Sequence, residues 1–321
     1  MNNRKLLPQI SSLALGIFLL MGCRSTDVSA PSATPSLVPI HATAVPTQAV
    51  DADQWQVISQ IEVTHPTTIA GFLNDTFGIT AGPDGETHYT TDGGKTWTKA
   101  NNSSWCRFGL DIVDEQVAWH CGNPGHVRVT TDGAMNWQAV SDFGPSEPTH
   151  CRFLSFLDDK TGWTATPNQL AATHDSGMTW TEIARPNDIQ TIMAIALRTA
   201  LDGYILDSGG KLFVTQDGGG TWSTRMLAPK TNDSGKSFAW YVPSAAVRFL
   251  DSERGLVVTN FRNAVTGKDQ VMAMRTADGG QTWSQESIPG TGALYLAHDG
   301  ETLTITSLTG REITVFRYRK N

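Results

Sequence analysis

Five short segments of this chain are near copies of one another: TTDGGKTW from 90, TTDGAMNW from 130, THDSGMTW from 173, TQDGGGTW from 215 and TADGGQTW from 276. Their aspartates, Asp92, Asp132, Asp175, Asp217 and Asp278, follow one another at 40, 43, 42 and 61 residues. A period near 40 is that of a propeller or a solenoid. The segments between copies decide between them. CRFGLDIVDEQVAW (106–119) and CRFLSFLDDKTGW (151–163) each read as an apolar strand, a turn rich in Asp, Glu and Lys, and a second strand ending in Trp119 or Trp163. A third strand such as HVRVTTD runs into the repeated segment and a fourth such as WQAVS leaves it, so each repeat is one four-stranded propeller blade.

The repeated segment suits a hairpin between third and fourth strands. Its Asp accepts backbone amides inside the turn, and a nearby Gly supplies positive φ. The Thr hydroxyls bond locally, and Trp97, Trp137, Trp180, Trp222 and Trp283 cover apolar surface between blades. Ala134 and Asn136 depart from the pattern, and an altered turn is expected there.

Five copies give five blades. ALYLAHDGETLTITSLTGREITVFRYRK at the C-terminal end supplies three more strands, and DQWQVISQI (53–61) supplies one, with Trp55 placed like the strand that follows each copy. Joining that first strand to the last three completes a sixth blade and removes the exposed edges of an open ring. The expectation is therefore an all-β, six-bladed propeller over 51–321. SGKSFAWYVPSAA, before the fifth copy, reads as an elongated insertion, with part of a seventh blade as the alternative.

The pattern S/T-x-D-x-G-x-T-W resembles the Asp-box, or BNR repeat, of sialidase-like propellers. That resemblance implies that the boxes are structural and lie on the face away from the ligand site. FLDDKTGW and FLDSERGL, with Leu256 in place of Trp, followed by TxDGGxTW, are similar to the photosystem II stability/assembly factor family. This resemblance implies an exported scaffold, often a lipoprotein, that binds membrane-protein partners through a propeller face.

The N-terminal region supports export. Arg4 and Lys5 precede an apolar run ending in Leu20-Met21-Gly22-Cys23, which resembles the lipobox of bacterial lipoproteins. It implies cleavage after residue 22, a lipid on Cys23 and anchoring on the extracytoplasmic side of a membrane. Residues 23–50 hold four prolines and little charge or aromatic content, the composition of a disordered tether.

Charge narrows the partners. Of 24 Lys and Arg, two leave with residues 1–22, so 22 basic face 31 acidic residues, a net charge of −9. A generic nucleic-acid surface is excluded on that balance. A protein partner, a membrane held through the lipid, no cofactor and a monomer are expected.

A sialidase needs an arginine triad with a Tyr and Glu pair, yet the first-blade stretch THPTTIAGFLND has no arginine. The alternative is another glycoside hydrolase, with two acids drawn from Asp111, Asp158, Asp207 and Asp251. Cys106, Cys121 and Cys151 in an oxidising setting imply one disulfide and one remaining thiol, with all three pairings open. His120, His126 and His150 lie near them, so Cys106, Cys121, Cys151, His120 and His150 form a weak metal-site set whose spacing matches no standard zinc motif. Arg107 and Arg152 occupy equivalent places in adjacent repeats and read either as ion-pair partners at the mouth of the ring or as a patch for a carboxylate. Trp105, Trp240 and Tyr241 complete the candidate partner-binding set, as aromatic anchors or as core.

Overall fold

The computed structural model describes residues 54–103, 109–122, 127–140, 151–227, 245–262 and 269–320. Among them the strands form six antiparallel four-stranded sheets, and no helix is present. The first strand, β1 (Gln54–Glu62), belongs to the last blade. Blade 1 is β2 (Ile69–Phe72), β3 (Gly78–Ala81), β4 (Thr87–Thr90) and β5 (Thr98–Lys99). Blade 2 is β6 (Gly109–Ile112), β7 (Ala118–Cys121), β8 (Val127–Thr130) and β9 (Gln138–Ala139). Blade 3 follows as β10 (Phe153–Phe156), β11 (Gly162–Ala165), β12 (Leu170–Thr173) and β13 (Thr181–Glu182). Blade 4 is β14 (Ile192–Leu197), β15 (Gly203–Asp207), β16 (Lys211–Thr215) and β17 (Ser223–Met226). Blade 5 is β18 (Ala245–Phe249), β19 (Gly255–Arg262), β20 (Asp269–Thr276) and β21 (Ser284–Ile288). In blade 6, β22 (Gly292–Leu296), β23 (Thr302–Ser307) and β24 (Glu312–Arg319) are joined by β1, in the order β1-β24-β23-β22.

The ring is therefore closed by the N-terminal strand, as Trp55 implied. Gln54 pairs with Arg319 and Glu62 with Glu312, with a bulge between Val57 and Ser59. Of the expected insertion SGKSFAWYVPSAA before the fifth box, residues 234–244 lie outside the described residues, and Ala245 and Ala246 begin β18.

Apolar side chains collect into six clusters, one at each seam between neighbouring blades. Each seam takes one tryptophan from the start of a fourth strand: Trp97 between blades 6 and 1, Trp137 between 1 and 2, Trp180 between 2 and 3, Trp222 between 3 and 4, Trp283 between 4 and 5. Trp55, 9% exposed, fills the same place between blades 5 and 6 without any box before it.

All five boxes share one clasp. In the first, Thr90 Oγ1 accepts the Gly94 amide (2.9 Å) and donates to Asp92 Oδ1 (2.8 Å). Asp92 then accepts the Thr96 amide (3.0 Å) and hydroxyl (2.6 Å). Two successive residues have positive φ in every box, supplied by glycine except at Ala134 (67°) and Ser176 (63°). The box at 130 keeps the clasp, against the expected altered turn. Asn136 donates its amide (2.9 Å) and its side-chain Nδ2 (2.8 Å) to Asp132, standing in for the missing Thr hydroxyl. The Ala134 methyl is fully buried at the seam between blades 1 and 2, which offsets the strain of its backbone.

A second repeated device lies between the first and second strands. Asn74, Asp114, Asp158, Asp251 and Asp299 each accept the backbone amides two and three residues on, and Thr199 does so in blade 4. These turns bond to the boxes, for example Gly93 N to Thr76 O at 2.9 Å and Gly218 N to Leu201 O at 2.8 Å. Boxes and first turns therefore share one face, and the innermost strands begin on the other.

Candidate functional site at the mouth of the ring

The innermost strands β2, β6, β10, β14, β18 and β22 line the ring axis. On the face opposite the boxes they leave a small funnel of about 70 Å³, whose wall includes Ile69, Leu110, Arg152, Ala194, Val247 and Leu294. The wall is apolar because each strand turns a small or aliphatic residue to the axis. Arg152 lines the rim, and its backbone amide bonds Ala165 O at 2.9 Å.

The floor is an ion pair. Arg248 donates to Asp111 Oδ1 (2.5 Å), to Ser155 Oγ (3.3 Å) and to Leu296 O (3.3 Å). Asp111 also accepts the Phe156 amide at 2.7 Å and meets His298 Nε2 at 2.9 Å, while Ser155 Oγ accepts the Leu197 amide at 2.8 Å. One network thus reaches the inner strands of blades 2, 3, 4 and 5 and, in blade 6, Leu296 and the following His298. Burial pushes the Asp111 carboxyl up, but Arg248 and His298 outweigh it and hold it at about 2. Because a carboxylate stripped of water costs several kcal/mol unless paired, on the order of 3–5 when one partner is removed, Arg248 is committed to Asp111. Arg152 is the other arginine among the described residues that line this mouth. One residue beyond Asp111 on β6, the Ile112 amide donates to Tyr295 Oη of blade 6 (3.1 Å), and burial pushes the Tyr295 hydroxyl pKa up.

The cysteines are resolved by this geometry. Cys121 is disulfide-bonded to Cys151, with Cα atoms 5.8 Å apart, linking β7 of blade 2 to the residue before Arg152. Both are buried, and Cys121 Sγ would lie 2.6 Å from a Cβ placed on Gly109, so only glycine fits at the start of β6. Cys121, Cys151 and His120 of the weak metal-site set are therefore not brought together as ligands. Both sulfurs are consumed, and strand alternation turns His120 to the other side of its sheet, 4.3 Å from the Trp137 ring. Burial and then Arg128 depress the His120 pKa to about 3, so it is neutral. Among the described residues no group of His, Cys, Asp and Glu is arranged to hold a metal ion.

The acid candidates are likewise occupied. Asp111 is the buried pair above; Asp158 and Asp251 cap first turns; buried Asp207 accepts the amides of Gln190, Gly209 and Lys211 at 2.8–3.1 Å. Of the partner-binding candidates, Arg152 is placed at the rim. Trp105, Arg107, Trp240 and Tyr241 lie outside the described residues, as do Cys23, Cys106, His126 and His150.

A family model described as BNR/Asp-box repeat matches residues 88–99, the third strand, clasp and fourth strand of blade 1. The fold is a six-bladed propeller, and its first clasp matches the Asp-box repeat. This propeller is similar in sequence to the photosystem II assembly lipoprotein Ycf48 of Synechococcus sp. (strain CC9902), with 26% identity over 314 aligned positions, 90% of this chain and 83% of the relative. In structure it is similar to YCF48 bound to D1 peptide, with 17% identity and a TM-score of 0.53 over 85% of this chain and 99% of that one. A streptogramin B lyase structure reaches a TM-score of 0.52 at 9% identity, over 83% and 98%. The two structural likenesses differ by only 0.01 in TM-score, so they speak to the propeller and not to its activity.

Proposed function

We propose that this chain is an exported, lipid-anchored assembly scaffold without catalytic activity, which holds a segment of a membrane-protein partner at the mouth opposite the boxes. The observation that carries this reading is the sequence likeness to an assembly lipoprotein along nine-tenths of the chain. The YCF48 complex with a D1 peptide supports a polypeptide as the ligand class. The geometry agrees in kind: an apolar funnel with Arg152 in its wall suits an apolar side chain flanked by a carboxylate. Glycoside hydrolysis needs two carboxyls across a cleft, about 5–10 Å apart. The four acids weighed for it are instead spent on turns and on Arg248. Cys23 is the proposed lipid site, residues 23–50 the tether, and the extracytoplasmic side of a membrane the location.

Affinity capture of the full-length lipoprotein from its own membrane tests the reading. A membrane protein is expected to co-purify, and Arg152→Glu is expected to weaken its recovery at temperatures where circular dichroism shows the variant folded. Capture of no partner together with turnover of a glycan panel would replace the scaffold by the enzyme.

A further inference from the structure

The segment that crosses from the closing strand into blade 1, residues 63–68, carries a pair of histidines in an unusual arrangement. His65 lies on this linker and His88 on β4, and their rings stack at 3.9 Å with 18° between planes. His65 Nε2 bonds Thr80 Oγ1 at 2.8 Å, and the Trp97 ring stands edge-on 5.7 Å away. The same linker is held to blade 6 by the Val63 amide on Arg311 O (2.9 Å), the Thr67 amide on Gly310 O (3.3 Å) and Arg311 Nη1 on Thr64 O. It leads directly into Ile69 at the mouth.

We propose that the His65 and His88 stack is a proton-sensing latch on the closing seam of the ring. Neutral rings stack; two imidazolium ions at this spacing repel, and the linker can relieve the repulsion only by lifting from β4. Burial, then His88, depress His65 to about 4, and burial depresses His88 as well. The facing charges are Asp84 and Glu86 on the turn before β4, which favour protonation, and Arg311 before β24 and Lys99 on β5, which oppose it. Glu86 is itself engaged by Lys99 and lies 3.8 Å from His88 Nε2. Because the folded pKa lies below the ordinary histidine value, stability is full above about pH 6.5 and is lost as pH falls toward about 4. The latch does not rest on the scaffold reading.

Amide exchange on the folded protein locates the effect. Protection factors at Val63 and Thr67 are expected to fall about tenfold more, between pH 7 and 4, than at Ile192, whose amide bonds Pro167 O at the comparable crossing from blade 3 to blade 4. His120 lies in a different seam, so its own titration does not mimic this local change. In His65→Phe, which keeps a ring against His88 but takes no proton, the excess loss is expected to disappear. Ring-proton NMR of the unaltered protein gives a second readout, with both histidines titrating below the ordinary value. Equal loss at all crossings, an unchanged loss in His65→Phe, or ordinary midpoints for both rings would overturn the latch.

Discussion

Blades 1 to 5 and blade 6 hold their outermost strands by opposite means. In the boxed blades the turn does the holding. Thr and Asp bond residues two to four positions away, and β5, β9 and β13 need only two residues each. Blade 6 has no turn between its third and fourth strands, because β24 and β1 are not consecutive in the chain. There the hold is the ladder itself, nine residues of β1 on β24, with Trp55 seated as a box tryptophan would be. Local clasps permit a short edge; without one, the edge must be long. The bulge at Val57 and Ser59 then disrupts that exposed edge as a template for other strands.

The comparison can be broken at either end. Deleting residues 54–62 removes the hold of blade 6 and opens the seams on both its sides, so no cooperative thermal transition is expected by calorimetry. A cooperative transition in the truncated protein would show that five clasps suffice. Replacing Cys121 and Cys151 together by Ser removes a cross-link that closes a 30-residue separation across blades 2 and 3, an expected loss of about 2–5 kcal/mol in chemical denaturation. Thr215→Val leaves the buried Gly219 amide unsatisfied and is expected to cost about 1–3 kcal/mol. Asp217→Ala should lower stability in the same direction while leaving capture of the partner intact, since the clasp faces away from the mouth. Smallest of all, Ala134→Gly exchanges backbone strain for a lost buried methyl, and the midpoint of unfolding should move by less than about 1 kcal/mol. Gly219→Ala is its counterpart: a methyl there meets Ile183 Cγ2 at 2.3 Å, and a clear loss is expected.

Acid separates the two means of holding as well. The clasp hydrogen bonds hold Asp92, Asp217 and Asp278 at about 2, below the ordinary carboxylate value. Their contribution is present above about pH 4 and is lost as pH falls toward 2. Blade 6 has no such group between its outer strands, so in an acid titration followed by amide exchange, once the linker at Val63 and Thr67 has lifted, the boxed hairpins should open before the body of β1, Gln54–Glu62, leaves β24.

Much of the fold could be read directly from the residues, for reasons that are local. A clasp whose partners lie within four positions leaves a motif, and Trp55 betrayed the sixth blade because it stands at the start of its strand as a Trp stands at the start of the strand after each box. The capped first turns repeat as faithfully but less visibly, since Asn74, Asp114 and Thr199 perform the same bonding with three different side chains. Asn136 shows the reverse case, in which a departure from pattern preserves the bond. The mouth was far less legible. Asp111 and Arg248 are 137 positions apart and Cys121 could pair equally well on paper with Cys106, so only the closed ring decides which groups meet.

Closure by β1 also fixes an order of events in the life of the molecule. The first strand of the propeller to be synthesised pairs with the last, so Gln54–Glu62 must wait, unpaired, until Glu312–Arg319 has followed it. Any chain interrupted before Glu312 keeps a nine-residue strand and the Trp55 ring exposed, whatever the state of its boxed blades. Completeness is thereby tested at the start of the chain: an unfinished propeller displays its N-terminal strand to proteases, and a finished one conceals it.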